Sequence, residues 1–399
     1  MSFSGPLLAA VTPVLLDGRL ATLPPLGLYV HLPWCARKCP YCDFNSHALR
    51  EELPEGRYLD ALERDLEQAV PLVWGREVGS IFIGGGTPSL FTPEGIDRLL
   101  AFCRTLLRVS PLAEITLEAN PGTFDAARFR GYRDAGVNRL SLGIQSFDDA
   151  NLRALGRMHD GRQAWNAAEQ ARELFERVNL DLMYALPRQG VAGLDQDLAR
   201  VLSLAPGHVS AYHLTLEPNT PFAAAPPPLP DDDTAADMQT RVEEILGAAG
   251  YGHYETSAFA RPDQQCHHNL NYWTFGDYLG IGAGAHGKLS FQDRVQRQVR
   301  LKHPRTYMET LERGGAPVSE SRDLDRQDRV FEFMMNALRL NQGFELELFA
   351  ARTGLGVNAL YRGLAEAERR GLITRALHRV TPSPRGRRFL NDLLALFLP

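Results

Sequence analysis

Cysteine is scarce in this 399-residue chain: there are five, and three of them fall within eight residues, as "CARKCPYC" at 35–42. The other two, Cys103 and Cys266, stand far off in sequence, so the pattern is not a disulfide framework, and a reducing cytoplasm is the expected setting. No apolar run approaches the roughly 20 residues that cross a bilayer, so no membrane span is expected. The first residues, "MSFSGPLLAAVTPVLLDGR", contain an apolar stretch but no cationic n-region. They are read as a loosely ordered leader over residues 1–25 rather than a signal peptide. A formal net charge of -5 argues against a chain that binds nucleic acid or membrane surfaces as a whole. "GGGTP" at 84–88 does not match the dinucleotide fingerprint GxGxxG and no phosphate-loop lysine follows it, which disfavours NAD and ATP.

What is there is an alternation. Apolar, β-branched runs at 27–32, 80–85, 114–119, 138–144, 178–183 and 209–216 are separated by amphipathic helical stretches such as 58–70 and 93–107. Six β-α units in a row predict an α/β fold with a parallel sheet and helices outside it, open or closed into a barrel. At 223–233 the chain changes character: "AAAPPPLPDDD" is a Pro-rich acidic connector, opening an α+β extension to about residue 322. From about 323 a helical pattern with a short hairpin at 371–384 predicts a winged-helix-like C-terminal domain. Residues 344–399 carry nine arginines against four glutamates and one aspartate, but without interleaved aromatics, and no nucleic-acid partner is expected.

Chemically pointed residues fall where the strands end. In a β/α barrel the βα loops form one face, and catalytic and binding groups collect there. Cys35, Cys39 and Cys42 follow the first strand, "GGGTP" (84–88) the second, Glu118 the third and Gln145 the fourth; Asp181 lies in the fifth, and His213, Thr215 and Glu217 close the sixth. Three thiolates suit zinc, with His31 or His47 as a fourth ligand, or a 4Fe-4S cluster with one iron left open. An open iron can take the amino and carboxylate groups of S-adenosylmethionine (SAM). "GGGTP" is read either as a tight turn or as backbone made bare for a ligand. Glu118 and Asp181 are lone carboxylates in apolar strands, and ligand contact explains them better than unpaired burial.

The segments "YVHLPWCARKCPYC", "GGGTPSL", "EANP", "SLGIQSF", "GRMH", "NLDLMYALP" and "HHNLNYW" together resemble the radical SAM family of oxygen-independent coproporphyrinogen III oxidase, over about residues 26 to 390. The resemblance implies a partial (β/α)6 barrel over 26–222, the extension over 223–322 and the C-terminal domain over 323–399. It implies a 4Fe-4S cluster on Cys35, Cys39 and Cys42, with SAM in place of a fourth ligand. Carried over residue by residue, Tyr29 and Tyr41 stand near the cluster, and Gly85, Gly86 and Thr87 line the methionine end. Glu118, Gln145, Arg157 and Asp181 hold the remainder of the cofactor, and Thr215 is a weaker transfer. The decarboxylating branch has a further cysteine two residues after the third, where this chain has Phe44, and it lacks the motif HNxxYW, here His268, Asn269, Tyr272 and Trp273. Both features resemble the family's heme-chaperone branch, whose members bind heme and pass it to an acceptor protein. Ala185 and Gly287 depart from the family pattern without touching an implied ligand. For the heme iron, His268 is the favoured ligand, with His267 and Cys266 as neighbouring rivals and Tyr272 and Trp273 against the macrocycle; a structural role for the motif stays open. A homodimer is compatible with all of this.

Overall fold

The structure is a computed structural model describing residues 18–398; residues 1–17 of the expected leader lie outside the described residues. The chain divides into two compact units. The larger comprises Pro25–Leu289 and Arg297–Arg322; the smaller comprises the described parts of Met1–Pro24, Ser290–Gln296 and Asp323–Pro399.

The larger unit is built on six parallel strands: β1 (Leu26–Leu32), β2 (Glu77–Gly85), β3 (Arg108–Ala119), β4 (Arg139–Gln145), β5 (Arg177–Tyr184) and β6 (His208–His213). Each pairs with the next in chain order. The crossovers contain α1 (Glu55–Ala69), α2 (Pro93–Leu106), α3 (Ala126–Ala135), α4 (Gly161–Leu174) and α5 (Val191–Leu204). Their starts follow from the sequence. Thr92 caps α2 ahead of Pro93, and Asp160 with Gln163 forms a capping box on α4. Leu28, Val30, Ile81, Ile83 and Leu117 are fully buried. The alternate positions Tyr29, Phe82 and Glu118 face the other side of the sheet, and that period of two gives the barrel a polar interior over an apolar shell.

The barrel does not close. The outer edge of β6 pairs antiparallel with β8 (Ala258–Ala260), which continues to β7 (Gly252–Glu255). The outer edge of β1 pairs parallel with β9 (Asp277–Ile281). Beyond β9 the sheet runs through β10 (His286–Ser290), β11 (Val295–Arg300) and β12 (Val318–Asp323), making twelve strands. The Pro-rich connector leads into α6 (Asp232–Ala248), and a short helix, α7 (His267–Trp273), packs against β1, β2 and β9. α8 (Pro304–Glu312) packs on α1. β6 ends at His213, three residues before the predicted end, opposite Tyr184, where its partner β5 also ends.

The smaller unit contains α9 (Arg326–Ala337), α10 (Leu346–Thr353), α11 (Tyr361–Arg369) and a three-stranded sheet. The sheet is β13 (Phe344–Glu345) on the predicted hairpin, β14 (Ile373–Ala376) and β15 (Arg379–Pro382). Leu20, within the stretch read as a leader, is a core residue here; its amide donates to the Gln292 carbonyl at 2.9 Å.

Candidate functional site: the cavity at the strand ends

A cavity of about 310 Å³ opens at the carboxyl ends of the barrel strands. The β1–α1 loop brings Cys35, Cys39, Tyr41 and Cys42 to it. All three thiols are free and half-buried. The loop is pinned by backbone bonds: the His47 amide donates to the Pro33 carbonyl (2.7 Å), Leu49 to Cys35 (2.9 Å) and Cys42 to Cys39 (3.2 Å). Burial pushes the Cys35 and Cys42 thiols up, so a metal binding there must displace protons. Both ring nitrogens of His31 are engaged, with the Tyr29 hydroxyl and the Asn45 carbonyl, each at 2.9 Å. His47 packs edge-on to His303 and does not line the cavity. Among the described residues no three His, Cys, Asp or Glu side chains are grouped to hold a metal ion. With His31 engaged on both nitrogens and His47 turned to His303, neither histidine stands beside the three thiols as a fourth ligand. That donor set fits a multi-iron cluster, in which each thiolate takes its own iron.

Gly85, Gly86 and Thr87 line the same cavity. They run against the end of β1: Gly86 donates to the Leu32 carbonyl (2.8 Å) and Thr87 to that of Trp34 (2.7 Å). A Cβ on Gly86 would lie 2.5 Å from the Trp34 oxygen, and Gly85 has φ of 114°, so no other residue type permits this approach without strain. Glu118 accepts from the Gly85 amide at 3.1 Å. Burial and the neighbouring Asp181 push its carboxyl up to about 7. Asp181, also raised by burial, accepts from Asn179 (2.7 Å) and Ser141 (3.4 Å). Arg157 donates to the Gly143 carbonyl (2.7 Å) and towards the Cys39 sulfur (3.6 Å), while its Nε is buried without a hydrogen-bond partner among the described residues. His159 of the same "GRMH" segment bridges Asn120 (3.2 Å) and the Ile144 carbonyl (3.1 Å), which fixes the loop that delivers Arg157. Gln145, left-handed at φ 68°, also lines the cavity. Gly143 leaves room for it: a Cβ there would meet the Gln145 amide nitrogen at 3.0 Å and the Arg157 guanidinium at 3.2 Å.

Eleven residues named from the sequence therefore meet at one cavity: Cys35, Cys39, Tyr41, Cys42, Gly85, Gly86, Thr87, Glu118, Gln145, Arg157 and Asp181. Tyr29 and Thr215 are not among its lining residues. Tyr29 packs on Phe82 with its hydroxyl on His31, and Thr215 is exposed past the end of β6, its hydroxyl 3.4 Å from the His213 carbonyl. The cavity also has a floor that the sequence reading missed: Arg139, Ser141, Asn179 and Ser210. Each lies an even number of residues from a position already singled out or from the strand's inward face, so period-two counting from Gln145 and Asp181 would have found three of them.

The HNxxYW residues are placed differently. His268 is 3% exposed, with Nδ1 at 2.9 Å from the Ser80 hydroxyl and its ring against Phe82 and Tyr272. Burial pushes its imidazole down to about 4, so it is neutral, and its Nε2 is buried with no hydrogen-bond partner among the described residues. Tyr272 stacks on Tyr278 at 4.1 Å, and Trp273 is half-buried at the end of the helix. The start of α7 is held by Glu114, which accepts from the His267 amide (2.9 Å), the His268 amide (3.2 Å) and the Cys266 thiol (3.5 Å). Of the motif, only Asn269 lines the cavity.

Residues 29–200 match the radical SAM superfamily, and residues 324–389 match the HemN C-terminal domain. The heme chaperone HemW of Escherichia coli (strain K12) is 48% identical over 381 residues, 95% of this chain and 100% of that protein. The chain belongs to the HemW family of radical SAM proteins. HemW of Haemophilus influenzae is 45% identical, over 94% of this chain and 98% of its own, and HemW of Bacillus subtilis 33% identical, over 93% and 98%. Among solved structures, the coproporphyrinogen III oxidase HemN of Escherichia coli, described as a radical SAM enzyme, superposes with a TM-score of 0.80 at 26% identity, covering 94% of this chain and 90% of that one. The HemW family fold is thus a mixed α/β radical SAM barrel followed by a HemN-type C-terminal domain. Among the described residues no helix is long and apolar enough to cross a membrane.

Proposed function

We propose that this HemW-family chain is a cytoplasmic heme carrier that binds heme and hands it to an acceptor protein, and that its barrel holds a 4Fe-4S cluster and SAM. The observation that carries the cofactor part is the convergence of three free thiols with Glu118, Gln145, Arg157 and Asp181 on one cavity. Cys35, Cys39 and Cys42 are the cluster ligands, and Arg157, donating towards Cys39, offsets thiolate charge. Gly85–Thr87 offer bare backbone, and Glu118 and Asp181 offer acceptors to the cationic and hydroxyl groups of SAM. Bound together, the two cofactors supply one-electron chemistry that no side chain performs. The heme part is supported by the relatives, all named heme chaperones. His268 offers a neutral imidazole nitrogen, but taking iron there requires α7 to leave Ser80, Glu114 and Tyr278.

The second reading, anaerobic coproporphyrinogen III decarboxylation, is favoured by the likeness to HemN. Against it, Phe44 stands where that branch has a cysteine, and it is 60% exposed at the cavity. Anaerobic reconstitution with iron and sulfide, followed by assay of coproporphyrinogen III with SAM and a reductant, separates the two. No protoporphyrinogen IX is expected, together with stoichiometric hemin binding; SAM-dependent turnover would replace the carrier reading with the enzymatic one.

A further inference from the structure

Heme is a flat apolar disc with two carboxylates. A site for it needs apolar surface and two cations, and it needs an iron ligand only if the iron is to be held. The barrel cavity, at about 310 Å³, is small for such a ligand, and its charged groups are two carboxyls, Glu118 and Asp181, beside three guanidiniums, Arg37, Arg139 and Arg157. The smaller unit carries a groove of about 1010 Å³ between α9, α11 and the last residues of the chain. Val330 and Leu396, both half-buried, and Leu398, exposed, give it apolar surface, and beneath them the buried Phe397 lies so close over Gly363 that a Cβ there would meet the ring at 2.4 Å. Among the described residues, Arg326, Arg362, Arg369 and Arg370 stand around it against a single carboxylate, Glu366.

Arg369 and Arg370 both bond Glu366. Arg326 and Arg362 are exposed and make no hydrogen bond or ion pair with any described residue. Nor do they serve their helices: Arg326 is the first residue of α9 and Arg362 the second of α11, where the helix dipole disfavours a cation. Among the described residues no His, Cys or Met lines the groove. We propose that this groove is a porphyrin-docking site, in which the macrocycle lies on the apolar floor and the two propionates engage Arg326 and Arg362, without a protein ligand to iron. The proposal rests on the heme-carrier reading and gives that reading a site that needs no opening of α7.

The test is fluorescence-quenching and absorbance titration of the full chain with hemin, protoporphyrin IX and protoporphyrin IX dimethyl ester, each at low and high salt. Wild type is compared with the double variant Arg326→Glu/Arg362→Glu and with His268→Ala, circular dichroism serving as the check of folding. One hemin and one protoporphyrin IX per chain are expected, with affinities within about threefold of each other. Salt and esterification should weaken binding, and the double variant should weaken it about tenfold, the size of losing a pair of exposed charge contacts. His268→Ala should leave the affinity unchanged. Hemin binding kept in the double variant but lost in His268→Ala overturns the groove and leaves the carrier reading standing. So does hemin binding without protoporphyrin binding. A double variant that alters only the oligomeric state assigns the groove to a second copy and overturns the proposal. Wild type that binds no hemin removes both.

Discussion

The cysteine loop and helix α7 both carry side chains of metal-ligating type, and they are embedded in opposite ways. Around Cys35, Cys39 and Cys42 it is the backbone that is pinned, and the sulfurs face a cavity half-exposed, met loosely by Arg157 at Cys39 (3.6 Å) and by Ser46 at Cys42 (3.9 Å). Around His268 it is the side chain that is engaged: Nδ1 meets Ser80, the ring meets two aromatics, and the helix start hangs on Glu114. A ligand-type residue in a pinned loop beside empty volume is available for chemistry, whereas the same residue type in a packed helix first contributes to the fold. The difference is measurable.

The largest effect is expected at the loop. Changing Cys35, Cys39 and Cys42 together to alanine should abolish cluster iron and sulfide after anaerobic reconstitution while circular dichroism stays native, since these side chains carry little of the core. Tight stoichiometric zinc with no iron uptake in the wild type would break the comparison at its first term.

Glu114 is the corresponding test for α7. Burial alone would raise its carboxyl, but Arg139, His267 and Arg177 overcome that and hold it below the ordinary value. It is one of three charges packed together, with Arg177 at 3.0 Å and Arg139 at 3.9 Å. Glu114→Ala leaves a buried guanidinium and two amides without their acceptor, and should cost about 3–5 kcal/mol in urea unfolding. Because the folded carboxyl titrates low, its stabilisation is present at neutral pH and is lost as pH falls through the folded value. The variant should therefore lose the corresponding part of the wild type's acid sensitivity. A cost under about 1 kcal/mol would mean that α7 is held by something other than its charged anchor.

Glu118, two turns of the pleat along the same strand, should behave in the reverse sense. Its carboxyl is raised from 4.5 to about 7. The folded chain keeps that proton where the unfolded chain releases it, so stability falls as pH rises from 4.5 through about 7. Glu118→Gln removes the penalty and should gain about 1–2 kcal/mol above pH 7, less than the full shift because the group faces a solvent-reachable cavity. The same variant should bind SAM more weakly, and wild-type SAM affinity should rise with pH through that range as Glu118 ionises. A variant that is both less stable and equally tight would place Glu118 with the scaffold.

How much of this was legible follows from what carries the signal. The six barrel strands were readable because each is a local apolar run between helices, and the cysteine spacing was readable because its ligands are neighbours in sequence. β9 was not, since "DYLGI" is a five-residue run whose pairing to β1 spans about 250 residues. The floor was missed because Arg139, Ser141 and Asn179 are single polar residues at the buried starts of strands, where only the period of two marks them as inward. The surroundings of His268 were hidden for the same reason: Ser80, Phe82 and Glu114 come from other strands, and no local pattern announces that they meet.

The smallest effects should come from the two implied residues that do not line the cavity. Thr215 is exposed and bonds only its own turn, so Thr215→Ala should change SAM affinity less than about twofold. Tyr29 faces the barrel interior, yet its hydroxyl is held by His31, and Tyr29→Phe should cost about 1 kcal/mol, the worth of one partly buried hydrogen bond, because His31 Nδ1 loses its partner. Its effect on SAM affinity should also stay within about twofold. Burial pushes the Tyr29 hydroxyl far up, so it stays protonated at any working pH and the loss should not depend on pH. Calorimetric SAM titrations of the two variants on the reconstituted chain check both. A tenfold loss in Tyr29→Phe would show that the cavity extends past Phe82 when ligand is bound, and that the boundary between loop and barrel interior lies deeper than the side chains at rest place it.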